Sequence, residues 1–297
     1  MTANLDGDAL DFRARVLELE EELERVRAEF EDLNLLYQAT IEHGEAVEDQ
    51  LAESNLELQR TQSRLTEELT EAAHYIFSIL PEPRQDMPRT EWLLVPSTEL
   101  GGDSFGYHEI DADHIAFYLL DVCGHGVGAA LLSVTAINVL RSAALPNTDF
   151  REPAAVLSAL NEAFPMERQN NMYFTIWYGV YQRSTGQLRY GSGGHPPSIL
   201  CKAGEVMTLS TPGLAIGMMP EMVYRTATCT ISPGDKLHLV SDGTFEVETA
   251  PGEMLEFNTF VDRLSASASG NEVLDWVRGL NGPGPLPDDF SLLTISF

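Results

Sequence analysis

Residues 114–133 read HIAFYLLDVCGHGVGAALLS, and the pattern changes twice within this short stretch. The apolar and aromatic run at 114–120 predicts a strand. Asp121 follows at its end, then a glycine-rich turn, Gly124-His125-Gly126, and then small apolar residues that predict a helix over 127–144. A carboxylate is thereby left at the mouth of a sheet, beside a turn whose glycines let backbone and solvent come close.

The same arrangement recurs outward from this stretch. Gly101-Gly102-Asp103 precedes a predicted strand at 104–110, Ser241-Asp242-Gly243 follows one at 236–241, and Asp288-Asp289 precedes the closing strand FSLLTISF. Any one of these reads as an ordinary turn, because Asp-Gly after a strand is common turn chemistry. Several aspartates meeting at strand ends instead suit hard divalent ions, which take oxygen ligands and keep several waters. Period-two alternation predicts further strands at 91–97, 173–182, 187–192, 196–201 and 222–231, and helical spacing predicts helices at 152–163, 254–267 and 271–280. Strands, then a helix pair, then more strands imply an α+β layered domain and not an alternating parallel sheet.

The N-terminal part is of another kind. Residues 1–11 read as a polar, disordered tail, and from Phe12 to Ile79 there is no proline and one glycine, Gly44. A heptad frame places Val16, Leu23, Phe30, Tyr37, Gly44, Leu51, Leu58, Leu65, Ala72 and Ile79 at position a, eight of the ten being large and apolar. The d series weakens to Ser54, Thr61 and Glu68 in its second half. Such a narrow stripe needs a partner helix, which predicts a coiled-coil homodimer over 12–80 ahead of a domain at 81–297. A helical hairpin about Gly44, or a helix laid along its own domain, is the alternative. The uneven seam also marks residues 65–80 as a candidate regulatory switch. Pro81 and Pro83 end the helix, since proline lacks the amide donor.

Composition narrows the function classes. The chain of 297 residues carries 46 acids and 18 bases, a formal charge of −28, of which residues 1–80 hold 20 acids and 6 bases. A surface this negative repels phosphate backbones and anionic lipid, so neither nucleic acid nor membrane is an expected partner. The absence of a long apolar run or a basic, apolar N-terminus predicts a cytoplasmic protein. Cys123, Cys201 and Cys229 lack metal-site spacing and read as reduced thiols.

Taken in order, LGGDSFGY, FYLLDVCGHGVGAALLS, MYFTIWYGVY, GSGGHPP, VSDGTFEV and DDFSLL resemble the metal-dependent protein phosphatases of the type 2C superfamily, and most closely the bacterial SpoIIE/RsbU-like serine phosphatases. The likeness covers roughly residues 75–297 and includes the LPEP lead-in. It implies an α-β-β-α sandwich and a centre of two Mn²⁺ or Mg²⁺ ions. Carried over by motif, Asp121 bridges the ions, the Val122 carbonyl completes one of them, and Asp103 binds the first ion directly or through water. Asp242 and the final acidic pair hold the other, with Asp288 favoured over Asp289. The implied reaction is hydrolysis of phosphoserine or phosphothreonine in a phosphoprotein by direct attack of the bridging water, in a partner-switching pathway whose substrate is an anti-anti-sigma-like protein.

Departures from the family pattern bear on single residues. Gly106 stands where many relatives carry an acid. His125 lies four residues beyond the bridging aspartate, and it is read either as the general acid for the leaving serine oxygen or as a residue that packs or caps the helix from Gly126. His195 reads as a turn residue. Cys123 is rejected as a nucleophile because no HCxxxxxR-like cradle surrounds it. No arginine stands in any motif, so the ions carry the phosphate contact. The proline- and glycine-rich 281–289 reads as a flap over the site. Two rival functions are a catalytically silent phosphoprotein-binding module, which would lack the aspartates, and a coiled-coil scaffold.

Overall fold

The computed structural model describes residues 5–250 and 252–297, with side chains from residue 12 onward. The chain divides into two compact units, one ending at Leu65 and the other spanning Thr66–Phe297. A single helix, α1 (Leu5–Ile79), begins inside the expected polar tail, whose residues 1–4 lie outside the described part. It passes Gly44 unbroken, so the hairpin alternative does not form; one glycine costs a helix only about 1 kcal/mol. At its end Arg141 Nη1 donates to the carbonyl of Ile79 at 3.1 Å, satisfying a terminal acceptor just before Pro81.

Beyond Pro88 the elements follow as β1 (Arg89–Val95), β2 (Ser104–Glu109), β3 (His114–Val122), α2 (Val127–Arg141), α3 (Pro153–Ala163), β4 (Phe174–Gln182) and β5 (Gln187–Gly193). The second half contributes β6 (Ser198–Lys202), β7 (Glu205–Leu209), β8 (Ala227–Thr230), β9 (Lys236–Val240), β10 (Glu248–Ala250) and β11 (Glu253–Met254). The chain closes with α4 (Phe257–Ala266), α5 (Gly270–Asn281) and β12 (Phe290–Ser296). Two five-stranded antiparallel sheets result, ordered β2-β3-β4-β5-β8 and β1-β12-β9-β6-β7.

Alternation along β3 shows why the layers stack. Ile115, Phe117 and Leu119 point into the core between the sheets, while Ala116, Tyr118, Leu120 and Val122 point into a second core under α2 and α3. On the far side Leu292 of β12 and Val240 of β9 pack against Phe260 and Leu264 of α4 and Val273 and Val277 of α5. A strand buried on both faces must be apolar throughout, as HIAFYLL is. The expected α+β class, in α-β-β-α order, is what the chain adopts.

Differences from expectation are local. β7 and the β10–β11 hairpin were not anticipated, because four of the five β7 residues are exposed and leave no alternating apolar signal. Only 227–230 of the expected strand 222–231 forms, since Tyr224 turns inward and its hydroxyl donates to the Leu214 carbonyl at 3.2 Å. α2 stops at Arg141 and α4 starts at Phe257, each about three residues inside the expected bounds.

Candidate active site

Three strand ends supply the site. Asp121 and Val122 close β3, and Asp121 stands opposite Thr175 of β4 in register. The ladder extends one step, with Cys123 N donating to Tyr173 O at 3.0 Å and Tyr173 N donating to Cys123 Sγ at 3.2 Å. Asp242 opens a short turn after β9, and Asp288 lies just before β12, the neighbour of β9 in the other sheet. One cleft of about 290 Å³ is lined by Asp121, Asp242 and Asp288, together with Ser97, Val122, Cys123, Gly124, His125, Tyr173, Thr175 and Pro287. A water molecule occupies about 30 Å³ of liquid, so the cleft has room for hydrated ions and a phosphoryl group.

No lysine or arginine lines this cleft. Burial, then the carboxylates of Asp242, Asp288 and Asp289, push Asp121 up to about 7. Burial, then Asp288 and Glu246, raise Asp242 to about 6. Asp103, buried behind Asp121, is raised well above the ordinary carboxylate range by burial and by Asp121 and Asp289. Each carboxylate destabilises the ionised form of the others, and only protons or a cation relieve that repulsion. The donor set is all oxygen, which fits magnesium or manganese and not zinc or copper. Among the described residues no three His, Cys, Asp or Glu side chains stand in a ready-made coordinating arrangement. The carboxylates share the cleft as an open set, as suits an ion that retains waters.

The two terminal aspartates separate clearly. Asp288 is exposed at the cleft, whereas Asp289 is buried and its carboxylate is already engaged. Asp289 Oδ1 accepts from Ser97 N at 2.8 Å and Ser97 Oγ at 3.0 Å, and Oδ2 accepts from Gly102 N at 2.7 Å and Asp103 N at 3.3 Å. A Cβ on Gly101 would lie 2.2 Å from Asp289 Oδ2, and one on Gly102 would lie 2.7 Å from the Val122 carbonyl oxygen. The glycines of the GGD turn therefore admit the Val122 backbone carbonyl and the Asp289 side chain.

Asp103 does not line the cleft; Ser291 Oγ donates to its Oδ2 at 2.5 Å, and Asp121 is its nearest electrostatic neighbour among the carboxylates. His125 is exposed on the cleft wall and makes no side-chain cap to α2, whose N-cap is Gly126. His195 is buried away from the cleft in the turn it was read to form, its Nδ1 against Pro196 O at 3.1 Å and its backbone tied to Ser192. Gly106 has no room for an acid, because a Cβ there would sit 2.5 Å from the Tyr118 ring. The 281–289 segment is anchored by buried Leu286 and by Asn281 Nδ2 donating to Pro285 O at 3.0 Å. Sequence reasoning missed Thr175, whose buried Oγ1 has no partner, and the supporting serines Ser97, Ser241 and Ser291. The position of FT in MYFTIWYGVY, opposite Asp121-Val122 in register, carried a signal for Thr175 only.

A profile of the family described as Stage II sporulation protein E (SpoIIE) matches residues 111–297, more than half of the chain and three of its four cleft-region aspartate motifs. The chain belongs to the SpoIIE family. This SpoIIE-family chain is 26% identical over 227 residues to phosphoserine phosphatase RsbU of Bacillus subtilis (strain 168), covering 75% of this chain and 65% of RsbU. It spans less than two thirds of the length of RsbU and of the next curated relatives it matches. Among solved structures, the SiaA-PP2C domain of Pseudomonas aeruginosa superposes with a TM-score of 0.69 at 23% identity, covering 80% of this chain and 98% of that domain. RsbX in complex with magnesium superposes with a TM-score of 0.54 at 17% identity, covering 73% and 99%. Both likenesses support the fold.

Proposed function

We propose that the chain is a metal-dependent protein serine/threonine phosphatase whose substrate is a phosphoprotein in a partner-switching pathway. The observation that carries this reading is a cleft where Asp121, Asp242 and Asp288 converge without a single cationic side chain among its lining residues. Asp121, Asp242 and Asp288 with the Val122 carbonyl hold two Mn²⁺ or Mg²⁺ ions in this reading, and Asp103 supports Asp121 from behind. When bound, the ions supply charge neutralisation of the phosphoryl oxygens and an acidified water.

The chain's own groups do the rest. Asp289 ties the turn at 101–103 to the start of β12 and is not a ligand in this scheme. Thr175 offers a hydroxyl beside Asp121, and in this reading His125, on the cleft wall, gives a proton to the leaving serine oxygen. The a-position residues Leu23, Phe30, Tyr37, Leu51 and Leu58 are all at least half exposed in the single chain, which supports a homodimer through α1 over 12–80. The name of the relative RsbU supports a phosphoserine protein as substrate, and an anti-anti-sigma-like protein is the partner we favour. No helix among the described residues is long and apolar enough to cross a membrane. Three free cysteines suit the reducing cytoplasm.

Hydrolysis of p-nitrophenyl phosphate in Mn²⁺ tests the activity. It is expected to vanish with chelator and to fall at least a hundredfold in Asp121→Asn and Asp242→Asn, an order of magnitude typical of losing a transition-state charge contact. Wild-type rates in either variant would remove the proposal.

A further inference from the structure

Next to the cleft runs the connection between β7 and β8, residues 210–226. It is held rigidly. Ile216 and Phe174 exchange backbone hydrogen bonds of 2.8 and 3.3 Å, and Met166 N donates to Gly217 O at 3.1 Å. The buried side chain of Asn161 receives Gly217 N at 2.8 Å and donates Nδ2 to Met219 O at 2.9 Å. Gly217 has φ of 91° and lies so close to Phe164 that a Cβ would meet its carbonyl oxygen at 2.3 Å.

The connection buries Ala215, Ile216 and Tyr224, yet it leaves other apolar side chains facing outward. Met219 is 52% exposed and Val223 77%, with Met218 and Leu214 exposed beside them. Met219, Pro165 and Pro220 line a hollow of about 330 Å³ whose edge carries Glu162 and Glu221. Both acids are exposed, and neither enters an ion pair among the described residues. The backbone ties the hollow to the cleft: buried Phe174, between the cleft residues Tyr173 and Thr175, bridges to Ile216, the neighbour of Gly217 in the hollow wall.

Resting on the phosphatase reading above, we infer that this hollow is the docking site for the protein part of the substrate, and that it takes an apolar side chain set beside a lysine or arginine. Two arguments lead there. The cleft has no lysine or arginine to grip a polypeptide, so recognition beyond the phosphate lies outside it. The hollow offers flexible Met219, which adapts to an apolar partner, next to two unpaired carboxylates that favour a cation and disfavour an acid.

The test uses the full chain and two fluorescein-labelled twelve-residue serine peptides, alike except for Leu-Arg or Leu-Glu downstream of the serine, each made with and without phosphate. Fluorescence anisotropy of the unphosphorylated pair reads docking alone. The Leu-Arg peptide is expected to bind at least tenfold more tightly than Leu-Glu, and Glu162→Gln with Glu221→Gln, or Met219→Ser, is expected to erase the difference. With the phosphorylated pair in Mn²⁺, the same variants are expected to raise KM for Leu-Arg while kcat, and turnover of p-nitrophenyl phosphate, stay within twofold of wild type. Equal binding of both peptides, or a preference that survives in the variants, overturns the docking site. Failure of the wild type to hydrolyse p-nitrophenyl phosphate, with the binding preference intact, would instead overturn the phosphatase reading.

Discussion

Asp288 and Asp289 are chemically identical neighbours in opposite surroundings, one exposed at the cleft and one buried, and removing them is expected to change stability in different ways. Removing the Asp289 carboxylate leaves a buried donor at Gly102 and half-buried ones at Ser97 unpaired, each buried donor worth about 1–3 kcal/mol. Asp289→Ala is therefore expected to lower metal-free stability by about 3 kcal/mol or more in denaturant titrations. Asp288→Ala removes one of several mutually repelling carboxylates and is expected to leave metal-free stability unchanged or raised while abolishing hydrolysis. Equal stability losses in both would contradict the assignment. Only the family resemblance favoured Asp288 over Asp289; residue chemistry could not separate the pair, because the difference lies in which side of the chain faces the turn at 101–103. It did single out Asp121 and Asp242, since each ends an apolar strand whose alternation fixes where the next side chain goes. Asp103 was found as an acid but not as a buried one, because its cover by Ser291 comes from the far end of the chain.

Among the strands, those buried on both faces were legible and the exposed ones were not. β3, β4, β9 and β12 stand near their expected bounds, since each is mostly apolar and buried over most of its length. β7 was invisible because it is an exposed edge strand, although Ala203-Gly204, with Gly204 at φ of 84°, is a hairpin turn signal. The long helix was predicted from its composition and heptad, and the same heptad states what it lacks. An apolar stripe with no cover in one chain is unfavourable in water, so sedimentation of the full chain is expected to show a dimer. Leu51→Glu with Leu58→Glu puts like charges into the a positions of an already acidic helix and is expected to give monomer at micromolar concentration. A dimer that persists unchanged in this variant would mean that the helix stripe is not the interface.

At the scale of the molecule, charge and burial set the response to pH. His238 is 8% exposed between Lys236 and the Thr294 hydroxyl, 2.9 Å from its Nδ1, and burial foremost, then Lys236, lowers it to about 4. The unfolded chain binds this proton near 6.5 and the folded chain only near 4. Between those values the unfolded state holds more protons, so this contribution to stability is present above 6.5 and lost as pH falls towards 4. It amounts to roughly 3 kcal/mol. The stability of wild type relative to His238→Asn is expected to fall by about that amount from pH 7 to 4 in chelator; a flat difference would mean that the ring is hydrated.

The acidic cleft is the opposite case, a set of groups whose ionisation the fold opposes until a cation is supplied, and the central claim rests there. Anomalous diffraction from crystals grown in Mn²⁺ tests it most directly. Two manganese peaks are expected in the cleft between Asp121, Asp242 and Asp288, with Asp289 still hydrogen-bonded to Ser97 and Gly102. A cleft without anomalous density, with Asp121 and Asp242 facing different regions, would contradict the account.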